Sequence, residues 1–225
     1  MRFSLLCWNI QKRSLTPRFQ YVFEHLLETY RSDIVALQEV RLSHGHIPSS
    51  FRAFTHALSC NIVRNRHCCG VMTLSRFPLI DSTPYLSKTK EIGIATRKSG
   101  LLTRHRLPDG APLSLLNLHV INFVPYGLFA KEIERIAELI AGVDDEALIV
   151  AGDFNTWSGK RQKRLNEVMA EFGLQKVLLE NEKSIKSILG SPLDHIYCRS
   201  LRTRHALVVD TPVSDHNPIA AEFEL

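Results

Sequence analysis

The chain has 225 residues, of which 44% are hydrophobic, and its formal net charge is +5. This length and composition are typical of one globular domain, so we expect a single domain over residues 1–225, and we expect a monomer. No apolar run approaches the roughly 20 residues that a membrane-spanning helix needs. The first ten residues lack the cleavage site of a secretory leader, so we expect a cytoplasmic protein with no transmembrane segment.

The charge and the cysteines narrow the classes of partner and compartment. A basic chain favours an acidic partner, such as a nucleic acid or an anionic headgroup. The five cysteines are an odd number without the spacing of a disulfide framework, which predicts reduced thiols in a cytosol-like compartment. Cys68 and Cys69 follow His67, but no second Cys/His pair has ligand spacing, so a zinc site is not indicated.

The hydrophobic pattern predicts the elements in chain order. Residues 2–9 form a strand, residues 18–30 a helix and residues 33–39 a buried strand. The middle of the chain has short strand candidates at 70–74 and 93–97, with turns at Phe77-Pro78 and Thr83-Pro84. The turn Pro108-Asp109-Gly110 joins residues 101–107 and 112–119 as a hairpin.

The second half continues with a helix at 127–141, a strand that ends at Asp153 and a helix at 159–172. Residues 193–199 and 205–212 are predicted to form a second hairpin, before a last strand at 218–223. Strands outnumber helices without regular alternation, which disfavours a doubly wound parallel sheet. We therefore predict a four-layer α/β sandwich, with two mixed sheets packed face to face and helices outside.

Polar side chains that can bind a metal or transfer a proton follow several of the buried strands. Asn9, Glu39, His119 and Asp153 each end an apolar run, and Asn155 follows Asp153 on the same face. If these strands lie in two adjacent sheets, their ends share one edge. The predicted second hairpin would bring Asp194 to Asp215-His216 at the same edge, with its turn roughly 20 Å away.

At these positions the chain resembles the endonuclease/exonuclease/phosphatase superfamily, whose fold is that of DNase I. The matching segments span residues 5–223, in the order of the family: Cys7-Trp8-Asn9-Ile10, Leu37-Gln38-Glu39-Val40, Asn117-Leu118-His119, Gly152-Asp153-Phe154-Asn155, Leu193-Asp194-His195-Ile196 and Ser214-Asp215-His216-Asn217-Pro218. The segments around His119 and Asp153 resemble the small bacterial YafD-like branch. The resemblance implies phosphodiester hydrolysis with a divalent metal.

Hard oxygen ligands suit Mg²⁺ or Mn²⁺, which can neutralise a phosphodiester and stabilise its leaving oxygen. Glu39 is the first predicted ligand, with Asn9 and Asp215 beside it. Asp153 is the predicted base for the attacking water. The remaining predicted catalytic residues are donors to the phosphoryl oxygens and the carboxylate that fixes and charges His216: His119, Asn155, His216 and Asp194.

Three further features bear on these roles. His195 alternates with Asp194 along its strand, so we expect it to face away from the site. In relatives the counterpart of His119 often has a carboxylate partner, but residues 69–75 contain no acid. Arg41 resembles an arginine of DNase I-like members that contacts the substrate groove.

Basic residues predict a rim for a polyanionic substrate. Lys160, Arg161, Lys163 and Arg164 follow the Asp153 loop, and Arg97-Lys98 enters its strand from the active edge. Arg199, Arg202 and Arg204 are predicted to lie at the far end. We expect Arg41, Lys160, Arg161 and Arg164 to bind substrate.

Three functions agree with this pattern. The first is a nuclease that acts on DNA or RNA with little sequence preference. The second is a phosphatase or phosphodiesterase on a small or lipid phosphoester, although no hydrophobic membrane-docking loop is obvious. The third is an inactive nucleic-acid-binding protein, which the intact set of ligands disfavours.

Overall fold

The computed structural model describes residues 1–43, 46–91 and 96–225. Within these ranges the strands are β1 Arg2–Asn9, β2 Ile34–Ser43, β3 Thr55–Arg64, β4 His67–Ser75, β5 Leu79–Leu86, β6 Ser99–Arg106, β7 Pro112–His119, β8 Leu148–Asp153, β9 Gln175–Lys176, β10 Ser187–Ile188, β11 Ser191–Pro192, β12 Asp194–Arg199, β13 Arg202–Val208 and β14 Ile219–Glu224. The α-helices are α1 Pro17–Thr29, α2 Tyr126–Ala141 and α3 Gly159–Glu171.

The strands form two mixed six-stranded sheets and a small β10–β11 hairpin. The strand order is β13-β14-β1-β2-β4-β3 in the first sheet and β5-β6-β7-β8-β12-β9 in the second. Each sheet has a parallel pair at its centre, β1 with β2 and β7 with β8. Parallel neighbours need a crossover connection, which α1 provides in the first sheet and α2 in the second.

Alternation along the strands divides the core into three layers. In β1, Leu5 and Cys7 face the second sheet, whereas Leu6 and Trp8 face α1. In β8, Ile149 and Ala151 face the first sheet, and the intervening residues pack against α2 and α3. The period of two therefore buries both faces of each sheet, and the predicted four-layer α/β sandwich is confirmed.

Local signals explain where the helices begin. The Oγ1 atom of Thr16 accepts a hydrogen bond from the backbone N–H of Phe19, and Pro17 occupies the first turn of α1. A capping hydroxyl satisfies one of the free N–H groups of a helix start, and proline has no N–H there to satisfy. The predicted helices at 18–30, 127–141 and 159–172 match α1, α2 and α3 to within a residue or so.

The predicted second hairpin is wrong, although its consequence for the site is right. The strand β12 pairs with β8 in the second sheet, and β13 pairs with β14 in the first. The short connection at residues 200–201 therefore crosses from one sheet to the other. Since β12 and β13 still run in opposite directions, Asp194 and His216 meet at one edge, with their side chains 2.7 Å apart.

Two predictions in the middle of the chain also change. Thr83-Pro84 is not a turn but lies within β5. Because β5 is an edge strand, a proline without an N–H can be placed where no neighbouring strand needs a donor. Of the predicted strand at 93–97, residues 93–95 lie outside the described residues, and Thr96 and Arg97 are not in a strand.

The prediction of reduced thiols is wrong for two of the five cysteines. Cys60 in β3 and Cys68 in β4 form a disulfide. The two strands are antiparallel neighbours, and the Cα atoms of the two cysteines are 5.9 Å apart, a proximity that the spacing in the sequence could not show. Disulfides persist mainly in oxidising compartments, so the cysteines no longer support the cytoplasmic location, which stays a prediction.

No helix within the described ranges is long and apolar enough to cross a membrane.

Candidate active site

The ends of four central strands converge at one edge of the sandwich. In the first sheet β1 ends at Asn9, and the parallel pairing of β2 with β1 stops at Gln38, just before Glu39, while β2 itself continues to Ser43. In the second sheet β7 and β8 end at His119 and Asp153. The register places Asn9 beside Gln38 and His119 beside Asp153. The two parallel pairs therefore deliver their terminal polar side chains to the same place, as the sequence predicts.

The carboxylate of Asp153 is the hub of this cluster. Its Oδ2 atom accepts a hydrogen bond from Nδ2 of Asn9 at 2.9 Å and lies 3.5 Å from Nε2 of His119. Nε2 of His216 is 3.8 Å away. The Oδ1 atom accepts from the backbone N–H of Asn155 at 3.0 Å. One buried oxygen thus lies between side chains from both sheets.

Glu39 and Asn155 have backbone conformations that non-glycine residues seldom adopt. Their φ angles are +53° and +52°, in the left-handed region. At Glu39 the ladder between β2 and β4 shifts register, so this residue bulges out of the strand. Such strain is retained where the surrounding structure holds it, and it is concentrated at functional sites.

Close packing of backbone also fixes the position of Asp153. The preceding Gly152 has φ +144°, and a Cβ atom there would lie 1.9 Å from the carbonyl oxygen of Leu118. Only glycine allows β7 and β8 to approach this closely. The glycine of the Gly-Asp-Phe-Asn segment is therefore a steric requirement for the placement of the carboxylate.

Burial and a second carboxylate perturb the ionisation of Asp153. The side chain is removed from water, and the charge of Asp194 adds repulsion, so the pKa rises to about 6. His216, Lys98 and the hydrogen bond from Asn9 oppose this rise. A carboxylate with such a pKa can accept a proton near neutral pH more readily than a solvated aspartate.

Asp194 and His216 form a buried pair at the same edge. Oδ2 of Asp194 lies 2.7 Å from Nδ1 of His216, and Trp8 donates its indole N–H to the backbone carbonyl of His216. Burial alone would lower the pKa of His216, but Asp194, with Asp153 and Asp215, outweighs burial and raises it to about 9. The pair therefore presents a charged imidazolium towards Asp153.

His119 is neutral, in contrast to His216. Its ring is buried, and burial together with the nearby Lys98 holds its pKa well below the usual value. The Nζ atom of Lys98 is 2.9 Å from Nε2 of His119, and Glu91 lies behind the lysine at 3.5 Å. The sequence placed Lys98 at this edge but did not identify Glu91, because Glu91 precedes no strand and belongs to no motif.

Asn155 is buried next to Asp153, whereas Asp215 is exposed. The side-chain amide of Asn155 is buried, and it donates to the carbonyl of Val120 at 2.8 Å. Asp215 is exposed, and its Oδ2 atom lies 3.5 Å from Nζ of Lys186. The structure thus brings Asn155 against the hub, whereas Asp215 lies at the outer margin, next to His216 in sequence.

The described residues contain one group of three potential ligand side chains within 4.8 Å of one another, Asp153, Asp194 and His216. A protonated imidazole bonded to Asp194 has no free lone pair for a metal. Glu39 is a better candidate, because its side chain is 24% exposed and lines a cavity with Lys98 and His119. Its carboxylate oxygens lie 3.9 Å from Nε2 of His119 and 3.9 Å from Nζ of Lys12. These oxygen donors fit a hard cation.

The predicted basic rim is partly wrong. Arg161 is 1% exposed, and its guanidinium donates to the carbonyls of Asn155 and Val124 while stacking on Trp157. It therefore holds the loops around the site together and is not on the surface. The helical period of α3 turns this one residue of the basic run inward.

Among the other members of the predicted rim, Lys160, Lys163 and Arg41 are exposed, and Arg164 is half-buried. Lys160 is exposed, with its Nζ atom 4.0 Å from the centre of the Tyr126 ring, and Arg164 contacts Glu134 at 3.3 Å. Arg41 is exposed on β2, two residues beyond Glu39. Arg202, at the start of β13, pairs opposite Glu224 at the end of the sandwich far from the site, as predicted.

His195 faces away from the site, as the alternation predicts. Its Nε2 atom lies 2.7 Å from Oγ1 of Thr156, and its ring packs near Phe154 and Tyr197. Burial lowers its pKa to about 3, so it is a neutral core residue.

Comparison with known proteins agrees with this geometry. The profile of the Endonuclease/Exonuclease/phosphatase family matches residues 6–216. A UPF0294 protein of Vibrio vulnificus, of the YafD-like branch, is 31% identical over 241 residues, which cover 100% of this chain and 78% of that protein.

Solved structures show the same fold at low sequence identity. An endonuclease/exonuclease/phosphatase from Beutenbergia cavernae superposes with a TM-score of 0.77 at 15% identity, covering 100% of this chain and 72% of that one. D. rerio TDP2, complexed with single-strand DNA product, has a TM-score of 0.70 at 17% identity, with 100% and 99% covered.

The charge of His216 is expected to depend on Asp194. In the wild-type protein, ¹⁵N NMR should show His216 titrating near pH 9. Its stabilising effect is then complete below the unfolded pKa of about 6.5 and is lost as pH rises through about 9. Asp194→Asn should move the titration down by at least about one unit, because the nearest anion is gone. Asp81→Asn, an exposed control on β5, should leave it unchanged. An unshifted His216 in Asp194→Asn contradicts the pairing.

Proposed function

Because the chain belongs to the endonuclease/exonuclease/phosphatase family, we propose that it is a divalent-metal-dependent hydrolase of phosphodiester bonds in DNA or RNA, with little sequence preference. The observation that carries the proposal is the buried Asp153 hub, with an anionic side at Glu39 and a cationic side at His216. Hydrolysis of an anionic ester needs a base for water and positive charge for the phosphoryl oxygens, and this cluster offers both.

Glu39 is the proposed principal metal ligand, with Asn9 beside it and Asp215 at the margin. Oxygen donors of this kind favour Mg²⁺ or Mn²⁺ over zinc. The buried thiol of Cys7 does not compete, because burial raises its pKa far above neutrality and keeps it protonated. When bound, such a cation supplies Lewis-acid polarisation of the phosphoryl group and stabilises the departing oxygen.

Asp153 is the proposed base and orienter of the attacking water. Its carboxylate is held from two sides, by Asn9 and by the backbone of Asn155, so that it cannot rotate away. A raised pKa increases its affinity for the proton that the water must lose. The oxygen of the water then forms the new bond to phosphorus as the bond to the leaving oxygen breaks.

His216 is the proposed cationic donor to the phosphoryl oxygens. Its Nδ1 atom is occupied by Asp194, which leaves Nε2 directed into the site near Asp153. An imidazolium fixed in this way stabilises the charge that grows on the non-bridging oxygens. Asn155 and His119 are proposed to complete the surroundings of the phosphoryl group.

A nucleic acid is the proposed substrate, because the exposed Arg41 and Lys160 and the half-buried Arg164 follow two of the site segments in the chain. Arg41 follows the bulge at Glu39, and Lys160 and Arg164 lie on the helix that follows the Asp153 loop. Contacts of this kind read the phosphate backbone rather than the bases, which agrees with little sequence preference. Among proteins of this fold, TDP2 has been captured with single-strand DNA product. A small or lipid phosphoester is the alternative substrate.

The proposal is tested with supercoiled plasmid, single-stranded oligonucleotides, RNA and soluble phosphomonoesters and diesters, each with Mg²⁺, Mn²⁺ or EDTA. We expect cleavage of a nucleic acid that EDTA abolishes. Glu39→Gln should keep the fold, weaken metal binding and remove most activity, because the amide lacks the anionic ligand. Glu28→Gln, on the exposed face of α1, is the control and should match the wild type.

Each contrary result has a separate meaning. Rapid turnover of a small phosphoester without cleavage of nucleic acid would move the substrate to the alternative. Tight binding of nucleic acid with no hydrolysis under any metal would favour an inactive binding protein. Unchanged rate and metal dependence in Glu39→Gln would show that Glu39 is not the ligand.

The basic rim should govern the salt dependence of nucleic-acid binding. Replacing Arg41, Lys160 and Arg164 together with Ala should weaken binding and lower the slope of log affinity against log salt, by about one unit for each lost phosphate contact. The measurement is fluorescence anisotropy of a labelled oligonucleotide with Ca²⁺ in place of Mg²⁺.

A triple variant of equal charge serves as the control. Arg2, Arg202 and Arg204 lie towards the opposite end of the first sheet, where β1, β13 and β14 pair around Glu224. Their replacement with Ala should change the affinity and the salt slope little. Equal losses in the two triple variants would contradict the placement of the substrate at the rim.

A further inference from the structure

The loop that joins β5 to β6 places a lysine against the imidazole of His119. Lys98 is the last residue before β6, and its backbone is fixed by hydrogen bonds in both directions with Ser87. Its Nζ atom is 2.9 Å from Nε2 of His119. Since β6 and β7 are antiparallel neighbours, this contact follows from the register that pairs Gly100 with Leu118.

A buried carboxylate holds this lysine in place. Oε2 of Glu91 lies 3.5 Å from Nζ of Lys98, and the side chains are 4% and 14% exposed. The other oxygen, Oε1, accepts from the backbone N–H of Asn122 at 2.6 Å, which ties the pair to the loop after β7. A buried charge pair with its remaining oxygen satisfied is well placed to orient one group rather than to move.

The chemistry of the contact assigns the charge. An ammonium group has only donors, so the Nε2 atom of His119 must be the acceptor and the imidazole is neutral. Lys98 therefore carries the positive charge on this side of the site, and His119 cannot donate from Nε2 while the lysine is bound there. The carboxylates of Asp153 and Glu39 lie farther from the same Nε2 atom, at 3.5 and 3.9 Å, than the ammonium group at 2.9 Å.

The ammonium group also borders open space. Lys98, His119 and Glu39 line one cavity of about 110 Å³, together with Lys12. Nζ of Lys98 contacts the same Nε2 atom of His119 that lies 3.5 Å from Oδ2 of Asp153. A phosphoryl oxygen that entered this cavity would therefore have the ammonium group of Lys98 as a donor.

We propose that Lys98 is a catalytic residue that donates hydrogen bonds to a non-bridging phosphoryl oxygen, and that Glu91 is its positioning residue. This inference rests on the proposed function and gives the cationic role at this side of the site to Lys98 instead of His119. Lys98 gives up no proton in the step. It stabilises the charge that builds on the oxygen as water adds to phosphorus and the leaving oxygen departs.

The kinetic test compares Lys98→Ala and Glu91→Gln with Lys90→Ala, a control on an exposed lysine of the same loop. With bis(p-nitrophenyl) phosphate and Mg²⁺, Lys98→Ala should lower kcat roughly 10²-fold, and Lys90→Ala should not change it. Glu91→Gln keeps an oxygen for the N–H of Asn122, so the fold should survive. Its kcat should fall about tenfold, because Lys98 loses the anion that orients it.

Chemical rescue separates a contact with substrate from a structural effect. Ethylammonium added to Lys98→Ala should restore rate in a saturable manner, and tetramethylammonium, which has no N–H donor, should not. A loss of rate that no primary ammonium ion restores would overturn the catalytic assignment. So would turnover of Lys98→Ala within threefold of the wild type.

Binding of inorganic phosphate gives a readout that does not depend on turnover. In isothermal titration with phosphate, Lys98→Ala should lose at least about tenfold in affinity, Glu91→Gln should lose part of it, and Lys90→Ala none. If the wild type hydrolyses no phosphodiester, the proposed function fails, and this titration still decides whether Lys98 binds the phosphoryl group. Equal affinity in wild type and Lys98→Ala would overturn the proposal.

Discussion

Two buried carboxylates, Asp153 and Asp194, constrain this site more than any other feature. Asp153 and Asp194 repel each other across the sheet edge, and the fold tolerates them because His216 is charged between them. Removing anions from water costs several kcal/mol each unless partners replace the lost hydration. That cost explains why both oxygens of Asp153 accept hydrogen bonds and why Oδ2 of Asp194 lies against His216. The same arrangement supports the proposed binding of a cation and a phosphoryl group.

The architecture serves this constraint by joining two similar sheets. Each contributes a parallel pair whose pairing stops at the same edge, so that Asn9 from the first sheet reaches Asp153 of the second at 2.9 Å. Rigid strands hold the charged groups to within a few tenths of an ångström, which loops alone would not. Arg161 holds the loops next to the site, because its guanidinium donates to the carbonyl groups of Asn155 and Val124 and does not face the substrate.

Much of the site could be predicted from the sequence, because an apolar run that ends in a polar residue is a recognisable pattern of a buried strand. Asn9, Glu39, His119 and Asp153 were placed together on that basis. The meeting of Asp194 with His216 was predicted through a hairpin that does not exist, since direction and length of strands are visible in a sequence but their partners are not. No signal in the sequence pairs Lys98 with Glu91, because a loop has no period. Arg161 is buried although its charge predicts exposure. The Cys60–Cys68 disulfide depends on the antiparallel pairing of β3 with β4, and the spacing of the cysteines does not specify it.

The proposed mechanism depends on Asp153 acting as the base. The most direct measurement is single-turnover hydrolysis by Asp153→Asn, an isosteric change that keeps one of the two acceptors used by Asn9 and Asn155 and removes the base. We expect the rate to fall by about 10² or more with metal affinity little changed. A rate within threefold of the wild type would contradict the assignment of Asp153 as the base, and with it the proposed mechanism.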